Sequence, residues 1–117
     1  MDDECILTQV KKLLEIEDDV NEFDTDIKSH INSAFFTLYQ LGVGPSVPFF
    51  IDDTTVWSSF ETSIPKSLIL DYLYLKTKIV FDPPASSTVG EAYKERITEL
   101  EFRMNVYTDN GGGEVNG

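Results

Sequence analysis

The chain has 117 residues, 41% apolar and 12% aromatic, which bounds one small domain with a real core. Its 21 acidic residues face nine Lys and Arg, a net charge of -12 that excludes a phosphate-backbone binder, because that task needs clustered cations. The single cysteine, Cys5, excludes an intrachain disulfide and suits a reducing cytoplasm; no apolar run is long enough to span a bilayer, and the acidic start Met1-Asp2-Asp3-Glu4 has no secretory h-region behind it.

Ile6, Leu7, Val10, Leu13 and Leu14 share one helical stripe and predict a first helix over about Thr8 to Glu15, capped by Thr8, Asp2 or Asp3. An acidic connector follows from Glu15 to Phe23, with Ile16, Val20 and Phe23 as anchors. Residues 1–26 hold ten acids and two lysines, so this stretch carries -8 of the total charge. Ile27, Ile31, Ala34, Phe35, Leu38 and Leu41 predict a second helix capped by Asp24 or Thr25. Gly42 stands at its C′ position, and Pro45 blocks a restart.

Val43 to Ser63 is irregular. Val47–Ile51 suits a short extended piece that Pro48 confines to an edge. Asp52-Asp53-Thr54-Thr55 suits a turn leading into one short turn of contacts through Val56, Trp57 and Phe60. A connection of this length in a small domain points to function. A third helix is expected over residues 65–81, opened by Pro65 and stopped by Asp82-Pro83-Pro84. Its segment Leu68–Phe81 is apolar on almost every side, so it needs neighbours all round and is the expected centre of the core.

Ser86, Ser87 and Thr88 mark the next start, and Thr88-Val89-Gly90-Glu91 matches a capping box. The fourth helix carries Val89, Tyr93, Ile97, Leu100 and Met104 on one stripe and a charged outer face with a Glu99–Arg103 pair. Residues 108–117 form a polar, Gly-rich tail expected to be flexible, which leaves 1–107 as the domain. The expected fold class is all-α: a small bundle of three to four main helices around a central hydrophobic helix (65–81), with a long irregular connection at 43–63.

No catalytic constellation stands out. His30 is the only histidine and lies one turn after Asp26, which predicts an exposed or locally paired side chain. One His and one Cys do not make a zinc site without carboxylate help. Gly42 and Gly44 do not form a phosphate loop. Asp18–Asp24 lacks EF-hand spacing. The expectation is a protein that is not an enzyme and uses no cofactor and no metal. Its candidate partner or subunit contacts are aromatic and apolar: Phe49, Phe50, Trp57 and Phe60 in the irregular connection, and Phe102, Val106 and Tyr107 at the end of the fourth helix.

The order of elements resembles a known family. It runs from Ile6–Leu14 into the acidic connector, through Phe23-Asp24-Thr25-Asp26-Ile27, Ile31-Asn32-Ser33-Ala34 and Leu41-Gly42-Val43-Gly44-Pro45. Tyr72-Leu73-Tyr74-Leu75-Lys76 then leads to Phe81-Asp82-Pro83-Pro84, and Glu99–Asn105 closes the domain. This resembles the head–tail connector (adaptor, or head-completion) proteins of tailed bacteriophages with long non-contractile tails, over residues 6–107. The resemblance implies a small non-enzymatic helical domain, made in the bacterial host cytoplasm and located in the virion at the head–tail interface. It implies a ring, dodecameric in the virion, under the portal. Its partners would be the portal protein, a stopper or tail-completion protein and copies of itself, with DNA passing through the centre unbound and no membrane involved. The free protein is expected to be a monomer.

Under that reading the loop acids Asp18, Asp19, Asp52 and Asp53 are candidates for the DNA-channel wall, where negative charge repels phosphate. Phe102 to Tyr107 and the tail are the candidate portal contact. The competing reading is an acidic interaction protein or DNA mimic directed at a host nucleic-acid-binding protein, which the charge alone would fit.

Overall fold

Four α-helices form the chain: α1 (Ile6–Leu13), α2 (Asp24–Gln40), α3 (Lys66–Phe81) and α4 (Ser87–Gly112), with one 3₁₀ turn at Trp57–Ser59. The computed structural model describes residues 2–112, with side chains as far as Thr108, and contains no strand among them. The helical stripes dictate the packing. α3 buries Ile69, Tyr72, Leu73, Leu75 and Thr77 and touches each of the other three helices, so it is the core helix expected of its all-round apolar sequence. α2 lays Ile27, Ile31, Ala34, Phe35 and Leu38 against it, and α4 adds Ile97, Leu100 and Met104. Val89 falls off that stripe and stays exposed.

The helix starts differ from expectation, each for a local reason. α1 begins at Ile6, two residues early, with Cys5 at its N-cap and no side-chain cap. The Ile6 amide donates to the Thr55 carbonyl (3.0 Å), so the irregular connection satisfies a donor that Thr8, Asp2 or Asp3 was expected to serve. At α2 the N-cap is Phe23, not Asp24 or Thr25. The Asp24 carboxylate is taken by Lys11 (2.9 Å) and cannot turn back onto its own helix. Asp24 and Asp26 still place negative charge in the first turn, where the helix dipole favours it. Pro65 sits at the N-cap of α3. At α4 Ser86 replaces the expected Thr88 as cap, its hydroxyl accepting from the Val89 amide (3.3 Å). α4 runs past residue 107 to Gly112; the rest of the Gly-rich segment, 113–117, lies outside the described residues.

Two helices end in the same device. After α2, Gly42 at φ 82° lets its amide reach the Tyr39 carbonyl (3.0 Å) and the Val43 amide reach Leu38 (2.8 Å), which is the Schellman pattern expected of a C′ glycine. After α1, the Glu15 amide bonds to Lys12 (3.0 Å) and the Ile16 amide to Lys11 (2.9 Å), again a Schellman end. There a glutamate at φ 63° occupies the left-handed position.

The long connection from Val43 is irregular but well held. No edge strand forms at Val47–Ile51. The Asn32 side chain of α2 instead accepts the Ile51 amide (2.7 Å) and donates to the Ile51 carbonyl (3.3 Å), doing what a neighbouring strand would do. Asp52 then accepts from the Thr54 amide (2.8 Å) and from the Thr54 and Thr55 hydroxyls, an Asx turn at the predicted place. Those bonds hold its carboxyl below the usual carboxylate range, the Thr54 amide contributing most. Residues 2–6 run antiparallel to 55–58: the Trp57 amide bonds to the Glu4 carbonyl (3.1 Å) and the Ser58 amide to Asp2 (2.9 Å).

Candidate functional site

The aromatic residues of the connection divide into two groups. Trp57 and Phe60 are fully buried, so these two expected partner contacts belong to this chain's own core. The Trp57 indole N–H donates to the Gln9 side chain (3.1 Å), which gives the ring a polar anchor on α1. Phe60 packs with Phe35 and Phe49 in a triangle of rings whose centroids are 4.9–5.0 Å apart. Gly44 (φ 92°) makes room for it: a Cβ there would meet the Phe60 ring at 2.6 Å. Phe49 is half-buried in this cluster, and Phe50, next in sequence, points outward at 57% exposed. Alternation along an extended segment produces that split.

The end of α4 does present an apolar surface. Phe102 is 70% exposed, and Val106 one turn later and Tyr107 are exposed beside it, because Leu100 and Met104 already fill the core-facing stripe. Tyr107 and Thr108 border a small cleft against Gly42, Gly44 and Ser63, so this surface adjoins the aromatic connection. Sequence reasoning missed a third exposed pair, Phe36 and Tyr39 on the outer face of α2, with ring centroids 5.9 Å apart. Their offset from the Ile27–Ile31–Ala34–Leu38 stripe was the available signal.

The four loop acids are all exposed. They are not equivalent. Asp52 is used by its Asx turn, and Asp53 pairs with Lys28 (2.6 Å), whose ammonium is held above its ordinary range by that contact. Asp18 and Asp19 have no ion partner among the described residues. Their loop is pinned from below by Lys11, a fully buried lysine that donates to the Val20 carbonyl (2.8 Å) and the Asp18 carbonyl (3.3 Å) and pairs with Asp24.

A groove of about 460 Å³ lies between α2, α3 and α4, lined by His30, Lys76, Lys94 and Glu101 among others. His30 is half-buried in its wall and has no bond to Asp26, contrary to the exposed or Asp26-paired side chain expected. Glu101 in the groove wall accepts from the buried Tyr72 hydroxyl (2.7 Å), and burial first, then Glu101, pushes that hydroxyl's pKa upward. Among the described residues no His, Cys, Asp and Glu cluster could hold a metal ion, and no helix is long and apolar enough to cross a membrane.

Residues 6–111 match the family model described as "Phage connector protein". No curated protein and no solved structure matches the chain.

Proposed function

Because the chain belongs to the phage connector protein family, a structural family of the virion, we propose that it joins the capsid portal to a long non-contractile tail as a ring of copies under the portal, through which DNA passes. The family match across nearly the whole domain carries this reading. The apolar end of α4 supports it: Phe102, Val106 and Tyr107 form an unfilled surface of the kind that docks a partner. We assign the portal contact to that surface, with Phe50 and the half-buried Phe49 as a second contact toward a stopper or tail-completion protein. Trp57 and Phe60 take no part, being interior. Of the four loop acids Asp18, Asp19, Asp52 and Asp53, we keep Asp52 and Asp53 as candidates for an acidic wall that leaves the duplex free to slide, with Lys28 offsetting Asp53, and assign Asp18 and Asp19 to a contact between copies. A ring reconstruction with Asp52 and Asp53 on its outer surface would remove them from the wall.

The test is the mass of the full chain alone and with the purified portal protein. A monomer alone and a portal-dependent ring, lost in Phe102→Asp, is the expected result. No complex with portal, and a tight one with a host DNA-binding protein, would replace the connector reading with the mimic.

A further inference from the structure

The nine Lys and Arg are not evenly neutralised. Lys11, Lys28, Lys66, Lys78, Arg96 and Arg103 each hold a carboxylate at 2.6–3.1 Å. Lys94 reaches Glu91 only at 3.6 Å between two exposed side chains, and Lys76 and Lys12 have no carboxylate partner among the described residues. Lys12 sits among the acids of the connector. Lys76 and Lys94 both line the α2–α3–α4 groove, with the His30 ring and the Ser33 and Thr98 hydroxyls, and Val80 at its apolar edge. Lys76 lies against the Tyr72 ring (5.9 Å), which steadies it inside the groove. Glu101 is the groove's one acid, and its carboxylate already accepts from Tyr72. Tyr72 is a neutral donor and leaves Glu101 charged, so the groove carries two lysines against one acid, a net positive lining in a chain of net charge -12.

The opposite inventory describes the connector. Glu15, Glu17, Asp18, Asp19 and Glu22 are exposed and without an ion partner among the described residues. Their backbone is held in shape by Lys11 and by Val20–Glu17 and Asp24–Asn21 amide bonds (3.0 and 3.2 Å). A pre-shaped acidic finger loses little entropy on docking. None of its residues lines the groove, so finger and groove are separate surfaces of one chain.

We propose that the acidic connector of one copy docks in the Lys76–Lys94 groove of the next, a head-to-tail contact between copies of this chain. Each copy is then donor and acceptor at once. Such contacts propagate, and close into a ring if the rotation allows; they do not stop at a dimer. This rests on the reading that copies stand side by side under the portal, and it names the surfaces by which they touch.

Two arms with three full-length variants test it, in a Cys5→Ser background. Asp19→Cys/Thr98→Cys, oxidised mildly during assembly on purified portal, is expected to give a ladder of cross-linked species beyond the dimer. Charge reversal is the second arm. Lys76→Glu/Lys94→Glu and Glu17→Lys/Asp18→Lys/Asp19→Lys, the latter leaving only Glu15 and Glu22 acidic in the finger, should each alone lose assembly by ~10-fold or more through like-charge contact. An equimolar mixture should recover it, because each variant's finger then meets a groove of opposite sign. Unchanged melting of both variants separates this loss from misfolding. Rings that form on portal with no 19–98 cross-link, a ladder that ends at the dimer, cross-links from residue 19 to the portal, or a mixture no better than its components would each overturn the contact while leaving the connector reading standing. No ring with portal under any condition would remove the connector reading and this contact together.

Discussion

The two irregular connections of this protein are held in opposite ways. The acidic connector after α1 is tied to the fold by one buried ammonium, Lys11, which collects two carbonyls and a carboxylate. The connection after α2 is tied by buried rings, Trp57 and Phe60, and by main-chain pairing with residues 2–6. The first keeps its side chains in water and offers them outward. The second spends most of its aromatics on the domain's own interior. Length and irregularity alone therefore do not mark a connection as a contact surface; what its anchors leave uncovered does.

The largest expected loss lies at the ring anchor. Trp57→Ala should cost about 3–5 kcal/mol, by lost burial and the cavity left behind, and should release the Gln9 amide. Denaturant unfolding measures it, and a loss under about 1 kcal/mol would mean the connection is held by its backbone alone. Lys11→Met keeps the aliphatic stem and removes the ammonium. It should cost about 2–4 kcal/mol, because the carbonyls of Asp18 and Val20 and the Asp24 carboxylate lose their shared donor. Faster amide exchange confined to residues 15–23 would confirm that one group holds this loop.

Smaller effects sharpen the contrast between the two helix ends. Glu15→Gly should stabilise the protein by about 0.5–1 kcal/mol, because only glycine occupies the left-handed position without cost. A raised melting temperature checks it. The smallest expected effect is in acid. The Asp52 carboxyl is depressed in the folded chain, so its contribution is complete above the ordinary carboxylate pKa and is lost as pH falls through the lowered folded value. Amide protection at Thr54 followed from about pH 5 to pH 2 should decline there. Protection that holds constant across that range would mean the turn does not depend on the carboxylate charge.

The helices and their order were legible because long apolar stripes carry the strongest sequence signal, and α3 and the Gly42 helix end appeared where expected. The starts were less legible. Cys5 and Phe23 occupy the N-caps of α1 and α2 because partners distant in sequence, Thr55 for α1 and Lys11 for α2, serve the groups involved, whereas Ser86 caps α4 through a local bond from the Val89 amide. The interaction surfaces were half legible. Phe102, Val106 and Tyr107 lie off a visible stripe, and the structure leaves them exposed. Trp57 and Phe60 gave no such signal, since in an irregular segment nothing periodic separates an inward ring from an outward one. The Lys76–Lys94 groove was invisible for another reason: it depends on which cations have already found carboxylates.

The antiparallel clasp between residues 2–6 and 55–58 sets an order in time. The Trp57–Gln9 bond and the Cys5 thiol bond to the Asp53 carbonyl (3.2 Å) each join residues 48 apart. During synthesis at about 5–20 residues per second, α1 therefore waits several seconds for the segment that completes its first turn. In that interval its apolar stripe has no partner from the long connection, and closing so large a loop costs entropy before any contact rewards it. The slow step in making this protein should then be the arrival of residues 53–57, and nascent chains cut short before Trp57 should remain open at their amino end.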